Sequence, residues 1–190
     1  MGVAFVTGGA AGLGRAIADR LRAEGYEVVV ADVNGDPPLD VMDADALTAA
    51  LERARPEVLV NNAGGGGHIE PHYPQAAPDE WGFWLDLNLR VPMLATQVAL
   101  RLGAKAIINV ASTAAVEPGR HVSPEYAASK AGLVRFVEAL DDPRVGCLIP
   151  GWIRTERAEQ ELAAISGPRP CIIPMDALAE EVVRMIRVRS

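Results

Sequence analysis

A tyrosine and a lysine stand four residues apart in the segment Tyr126-Ala127-Ala128-Ser129-Lys130. In a helix this spacing puts the phenol and the ammonium group on one face, one turn apart. Free tyrosine has a pKa of about 10, so it acts as a base at neutral pH only if nearby cations favour the phenolate. Lowering that pKa to about 7 takes roughly 4 kcal/mol. Two close positive charges in a partly desolvated site, one of them on Lys130, can supply that free energy. The pair therefore predicts a tyrosine that exchanges a proton with an alcohol or a carbonyl group.

Lysine is scarce in this chain, which makes the pairing informative. Among 18 basic residues only Lys105 and Lys130 are lysines. On this pair alone, an ordinary surface tyrosine and lysine on a helix remains an equal alternative.

A glycine-rich turn lies near the start of the chain. Residues 7–14 read TGGAAGLG, between an apolar run and a helical pattern. Glycines in this context let backbone N–H groups approach a pyrophosphate at the helix N-terminus. We predict a dinucleotide site formed by Gly8, Gly12, Leu13 and Gly14. A turn in which the glycines serve only the backbone is the alternative.

Asp32 closes the second apolar run, and its carboxylate indicates which dinucleotide is bound. A carboxylate there can accept a hydrogen bond from the ribose 2′-OH and would repel a 2′-phosphate, which favours NAD over NADP. Two alternatives stay open. Asp32 could initiate a turn before Asn34-Gly35, and Arg15 could compensate a phosphate.

Short apolar runs alternate with helical patterns along the chain, which is typical of a parallel sheet covered by helices. We predict an α/β fold, a Rossmann-like doubly wound parallel sheet, in a single domain over residues 1–190. The predicted strands are Val3–Thr7, Tyr26–Asp32, Val58–Asn61, Ala104–Ala111 and Val145–Ile149. The predicted helices are Gly12–Glu24, Ala44–Ala54, Pro78–Leu102, Ser123–Leu140 and Asp176–Arg187.

Composition excludes several classes of function. A net charge of −7 argues against nucleic-acid binding, because phosphate neutralisation needs clustered basic residues. Two cysteines do not make a disulfide framework, and we interpret Cys147 as a small core residue. No metal site is predicted. No run approaches the roughly 20 apolar residues of a membrane span, and no leader pattern opens the chain, so we expect a cytoplasmic protein without a membrane partner.

Taken in order, these motifs resemble the short-chain dehydrogenase/reductase family. The matching positions are the turn at residues 7–14, Asp32, Asp40-Val41, Asn61-Asn62-Ala63-Gly64, Asn88, Ser112, Tyr126, Lys130, Pro150-Gly151 and Thr155. The resemblance implies an enzyme that interconverts a secondary alcohol and a ketone with NAD, using Tyr126 as its acid/base. An NADP-dependent carbonyl reductase and a nucleotide-binding protein with little turnover are the alternatives.

The resemblance also implies roles for the other matching residues. Ser112 would orient the substrate carbonyl, Lys130 would bind the nicotinamide ribose, and Asn88 would hold a water in a proton relay. Asn61–Gly64 would stabilise the central sheet. The cofactor contacts implied by the resemblance are Asp40, Val41, Asn62, Ala63, Gly64, Tyr126, Lys130, Pro150, Gly151, Ile153 and Thr155. The glycine run Gly64–Gly67 is longer than these roles require.

Asn88 has a physical argument of its own. Pro92 follows it by four residues in a helical pattern, and proline has no N–H to donate to the Asn88 carbonyl. A helix kinked there would leave an acceptor for a water. The alternative is that Asn88 is merely a poor helix former beside a kink.

The chain is short for this family, and its sheet is expected to be abbreviated at the edges. Seven residues separate Asp32 from Asp40, whereas a crossover with a helix needs at least about 10. We therefore expect Val33–Leu39 to lack a helix. Nothing after Arg187 has the pattern of a further strand, and the substrate lid, at about residues 156–175, is short.

Family members commonly dimerise through two long helices, which correspond here to Pro78–Leu102 and Ser123–Leu140. We therefore expect a homodimer. The alternative is that the candidate interface residues all pack in the core of the monomer. These residues, which are expected to be exposed for the interface, are Trp84, Leu87, Val91, Leu133 and Phe136.

Overall fold

Five parallel strands form the central sheet of the computed structural model, which describes residues 2–66, 75, 77–117, 122–155 and 171–189. The strand order is β2-β1-β3-β4-β5. The strands are β1 Val3–Thr7, β2 Glu27–Ala31, β3 Val58–Asn61, β4 Ala106–Val110 and β5 Val145–Leu148. This is the predicted Rossmann-like sheet, and its parallel strands bring their carboxyl ends to one edge.

Helices connect the strands and cover both faces of the sheet. They are α1 Gly12–Ala23, α2 Ala44–Ala54, α3 Pro78–Leu85, α4 Val91–Arg101, α5 Pro124–Leu140 and α6 Met175–Arg189. A π-helical turn, Asp86–Arg90, joins α3 to α4, and a 3₁₀ turn, Thr113–Ala115, follows β4. Two short strands, β6 Trp152–Ile153 and β7 Ile172–Ile173, pair in parallel beside the main sheet.

Alternating side chains along the strands divide the core into two layers. Val6 faces the layer that contains α1 and α6, whereas its neighbour Phe5 faces the layer that contains α2 and α4. Both side chains are fully buried. Burial on both faces explains why these strands are nearly continuous apolar runs in the sequence.

The ends of two helices follow their local sequence. The Asp43 side chain caps α2 by accepting hydrogen bonds from the backbone N–H groups of Asp45 and Ala46, at 3.1 and 3.0 Å. Ser123 caps α5, and Pro124 occupies its first turn, where no backbone donor is needed.

The long helix predicted over Pro78–Leu102 is interrupted at its middle. The Val91 N–H donates to the Asp86 carbonyl five residues earlier, which makes a π-helical turn. Because Pro92 has no N–H, the regular ladder could not have continued to Asn88. An irregularity of the helix beside Pro92 was predicted, but its π-helical form was not.

The expected abbreviation after β2 is confirmed. Residues 33–39 form turns and irregular backbone without a helix. The Asp32 carbonyl accepts from the N–H groups of Gly35 and Leu39, both at 2.9 Å. At the other end, α6 extends to Arg189. The predicted lid lies mostly outside the described residues, which resume at residue 171.

Candidate active site

The glycine-rich turn after β1 is shaped to bring backbone close to a ligand. Gly8 and Gly12 have φ angles of +65° and +51°, a region that favours glycine. A Cβ on Gly14 would lie 2.0 Å from the Gly8 carbonyl oxygen. The Asn62 amide Nδ2 bonds this same carbonyl at 3.0 Å. The turn therefore packs against the backbone that follows β3.

The first turn of α1 carries no side-chain cap. Its N-cap residue is Ala11, and no acidic residue lies in the first turn. Leu13 is buried and anchors this turn in the core. An α-helix that begins without a capping side chain leaves its first N–H groups for an anion, which suits the pyrophosphate of a dinucleotide.

Asp32 lies against the glycine turn. Its Oδ2 accepts from the Ala10 N–H at 3.0 Å and its Oδ1 from the Asn34 N–H at 2.9 Å. Both carboxylate oxygens keep further lone pairs, so a ribose hydroxyl could still donate to them. Asp40 is exposed and accepts from the Met42 N–H at 2.9 Å, whereas its neighbour Val41 is buried.

Thr7 holds the ends of β1 and β3 together, a role that the sequence analysis missed. Its buried Oγ1 accepts from the N–H groups of Asn62 and Ala63, both at 3.0 Å. These bonds position the residues expected beside the cofactor. A threonine at the end of a strand is too common for sequence alone to indicate this role.

Asn61 and Asn109 form a buried link between the sheet and α4. Asn61 Nδ2 donates to Asn109 Oδ1 at 2.9 Å and to Thr96 Oγ1 at 3.1 Å. All three residues are almost completely buried. This arrangement supports the sheet-stabilising role implied for Asn61.

The Asn88 side chain clasps the backbone of Gly65. Oδ1 accepts from the Gly65 N–H at 3.1 Å, and Nδ2 donates to the Gly65 carbonyl at 2.8 Å. Nδ2 also donates to the Trp84 carbonyl at 3.0 Å. Asn88 is fully buried within the π-helical turn. The water-relay role of its backbone carbonyl stays a prediction.

Tyr126 and Lys130 share one face of α5, as their spacing predicted. The Lys130 Nζ lies 5.8 Å from the centroid of the Tyr126 ring and donates to the Val110 carbonyl at 2.9 Å. Lys130 is only 5% exposed, and this burial lowers its pKa to about 8. The nearby Cys147 thiol supplies no counter-charge at pH 7, because burial raises its pKa to about 11. The ammonium group is therefore charged but poorly solvated at neutral pH.

Ser112 lies beside the segment that follows β5. Its Oγ accepts from the Ala114 N–H at 3.2 Å, while the Thr113 N–H donates to the Pro150 carbonyl at 2.9 Å. Beyond Pro150, β6 contains Ile153, whose carbonyl accepts from the Thr155 N–H at 2.8 Å. The chain thus brings the expected substrate-orienting residue next to the segment expected at the nicotinamide.

Comparison with known proteins identifies the family. The family model described as Enoyl-(Acyl carrier protein) reductase matches residues 8–167. A Streptomyces virginiae relative, named as a ketoacyl reductase of the monensin polyketide synthase, is 32% identical over 83% of this chain and 73% of its own length. The 2-dehydro-3-deoxy-L-rhamnonate dehydrogenase (NAD(+)) of a Sphingomonas species is 32% identical over 75% of this chain and 66% of its own length.

A solved structure shows the same fold. The ligand-free aldohexose dehydrogenase of Thermoplasma acidophilum has a TM-score of 0.82 at 22% identity, covering 97% of this chain and 86% of that one. This chain belongs to the short-chain dehydrogenase/reductase family. As in other proteins of this family, the expected chemistry is oxidoreduction of an alcohol or a ketone.

In this short-chain dehydrogenase/reductase, the expected site residues gather at the carboxyl edge of the sheet. The glycine turn follows β1, Asn62 follows β3, Ser112 follows β4 and Pro150 follows β5. Among the described residues, no group of three or more His, Cys, Asp or Glu side chains could hold a metal ion. No helix in the described part of the chain is long and apolar enough to span a membrane.

Proposed function

We propose that this enzyme transfers a hydride between NAD(H) and a secondary alcohol or ketone, with Tyr126 as the acid/base. The observation that carries this proposal is the buried, positively charged Lys130 beside the Tyr126 ring. A cation in a poorly solvated site favours the phenolate form of a neighbouring tyrosine more strongly than a cation in water does.

Four side chains have separate proposed roles in the reaction. The nicotinamide, when bound, supplies or accepts the hydride. In oxidation, the Tyr126 phenolate accepts the hydroxyl proton of the substrate, and in reduction the phenol returns it. Lys130 stabilises the phenolate and would hold the ribose of the nicotinamide when the cofactor is bound. Ser112 donates a hydrogen bond to the substrate oxygen, and Asn88 holds the water that replenishes the proton.

We propose NAD as the cofactor because of Asp32. Its carboxylate lies against the glycine turn through the Ala10 N–H, so a 2′-phosphate bound there would meet a negative charge. The Sphingomonas relative carries NAD(+) in its name. Fluorescence titration with NADH and NADPH tests the assignment, and tighter binding of NADPH would contradict it.

The ketoacyl reductase relative favours a second candidate, an NADP-dependent carbonyl reductase. Its signature would be tighter NADPH binding and faster reduction of ketones than oxidation of alcohols. Binding of either cofactor without turnover across a broad panel would instead favour a nucleotide-binding protein with little turnover.

A screen of secondary alcohols and ketones, followed by cofactor absorbance, tests the proposed reaction. Tyr126→Phe should abolish turnover on any substrate found while leaving NADH affinity nearly unchanged, because only the proton-transferring oxygen is removed. Tyr26→Phe, at the opposite edge of the sheet, is the matched control. A Tyr126→Phe enzyme that keeps more than about a tenth of kcat would rule out the proposed acid/base.

We also propose that the enzyme is a cytoplasmic homodimer that pairs its long helices. The prediction that Val91 and Leu133 are exposed at that interface is wrong, because both side chains are buried in the protomer core. The large apolar side chains that are exposed on these helices are instead Trp81, Phe83, Met93 and Leu140. Light scattering at micromolar concentration decides the point, and a monomer would contradict the proposal.

A further inference from the structure

Gly64, Gly65 and Gly66, which follow β3, lie beside the side chains expected to carry the reaction. Gly65 is clasped by the Asn88 amide through its N–H and its carbonyl. One residue earlier, a Cβ on Gly64 would lie 2.6 Å from Asn88 Oδ1 and 3.3 Å from Lys130 Nζ. One residue later, a Cβ on Gly66 would lie 3.2 Å from Cγ of Tyr126 and 3.3 Å from its Cδ2.

Backbone conformation does not explain why position 66 is glycine. The described glycines with positive φ are Gly8, Gly12, Gly25 and Gly103. Gly66 is not among them, so its φ angle does not require glycine. What an alanine would change is the space over the Tyr126 ring, because its methyl group would press on the ring carbons at less than a normal contact distance.

We infer that Gly66 positions Tyr126, by letting the backbone lie directly against the face of the catalytic ring. The Asn88 amide fixes the backbone of Gly65, and the Tyr126 ring lies next to Gly66. The inference rests on the proposed role of Tyr126 as acid/base. It assigns a role to the glycine run that the family motifs do not require.

A side chain at position 66 should harm the chemical step more than cofactor binding. The ring can relieve the contact only by moving a few tenths of an ångström, and that movement shifts the phenol oxygen relative to the substrate. Small displacements of a reacting group have large effects on rate. The cofactor contacts expected at the glycine turn and at Asp32 are untouched.

The test compares Gly66→Ala with Gly82→Ala, whose Cβ on α3 would meet nothing within 4 Å. With a substrate from the screen, Gly66→Ala should lower kcat about tenfold, with KM and NADH affinity changed less than about twofold. Gly82→Ala should match the parent.

Two results would overturn the inference. One is a Gly66→Ala enzyme with the kcat of the Gly82→Ala control. The other is a loss of kcat that equals the loss of NADH-binding sites, which would mean only that less protein is folded. If Tyr126→Phe itself stays active, the proposed function fails. The contact between Gly66 and the Tyr126 ring is then tested separately, by near-ultraviolet titration of the Tyr126 phenolate. The titration midpoint must differ between Gly66→Ala and the parent, and an unchanged midpoint overturns the inference.

A measurement on the parent protein covers the case in which Gly66→Ala does not fold. The Gly66 Hα resonances should be shifted by the Tyr126 ring current and should return towards ordinary values in Tyr126→Leu. Resonances that do not move on this substitution would overturn the inference.

Discussion

The two lysines of the chain lie at opposite edges of the sheet and in opposite environments. At the carboxyl edge, Lys130 is buried, bonds a backbone carbonyl and has no carboxylate partner among the described residues. At the amino edge, Lys105 is exposed, and its Nζ lies 3.1 Å from Glu57 Oε1. Exposed pairs of the second kind contribute little to stability, with a median of about 0–1 kcal/mol.

The difference shows which lysine serves the fold and which serves chemistry. A cation buried without a counter-charge is costly, because it gives up hydration that a backbone carbonyl only partly replaces. Titratable groups perturbed in this way cluster at functional sites. The poorly solvated ammonium group of Lys130 therefore lowers the stability of the carboxyl edge. The Lys105–Glu57 pair at the amino edge is an ordinary surface ion pair.

Lys130→Met should have the largest effect on activity. Removing the cation beside Tyr126 should lower kcat/KM by about three orders of magnitude, within the range that acid–base activation supplies. The folded state should be as stable as the parent or more so at pH 7, since a buried charge is replaced by an apolar side chain. Steady-state kinetics and urea unfolding measure the two quantities, and a variant that is active but unstable would reverse the comparison.

The stability of the parent should rise with pH more steeply than that of Lys130→Met. Burial lowers the pKa of Lys130 to about 8 from its ordinary value of 10.5, so the unfolded chain binds more protons between these two pH values. Stability therefore increases as pH rises through this window. Across this window, the difference in the free energy of unfolding between the parent and Lys130→Met should change by on the order of 3 kcal/mol. Equal slopes in urea unfolding between pH 7 and about 10.5 would show that Lys130 is not desolvated.

Thr7→Val should destabilise the carboxyl edge by about 1–3 kcal/mol. The substitution removes the Oγ1 that accepts from Asn62 and Ala63, which leaves two backbone donors without this partner. NADH affinity should fall as well, because these residues are expected beside the cofactor. Urea unfolding and NADH titration check both effects. A change below about 0.5 kcal/mol would mean that other acceptors replace the hydroxyl.

Lys105→Met should have the smallest effect. Loss of its exposed pair with Glu57 should change stability by less than about 1 kcal/mol and leave turnover unchanged. The variant therefore serves as the control for Lys130→Met in both assays. A large loss of activity here would mean that removal of either lysine disturbs the enzyme.

Sequence predicted the regular parts of the molecule well. The bounds of α2 and β3 are those predicted, because strong periodicity and local caps fix them. The shared face of Tyr126 and Lys130 followed from helical spacing alone. These features depend on residues close together in the chain.

The errors concern contacts between distant segments. Val91 and Leu133 were expected to be exposed, but they are buried, because a helix face can pack on the same chain as readily as on a partner. Strands β6 and β7 have two residues each, too few for a period to be read. The contact of Gly66 with the Tyr126 ring depends on the arrangement of β3 and α5, which spacing does not specify.

NMR titration of the lysine side chains tests most directly whether the carboxyl edge holds a desolvated ammonium group. Because the chain contains only two lysines, protein labelled with ¹³C at lysine Cε should give two resonances, and Lys105→Arg assigns them. We expect the Lys130 resonance to titrate with a pKa of about 8, well below the ordinary lysine value of about 10.4. Titration of the Lys130 resonance near that ordinary value would contradict this, and the physical basis proposed for the activation of Tyr126 would be lost.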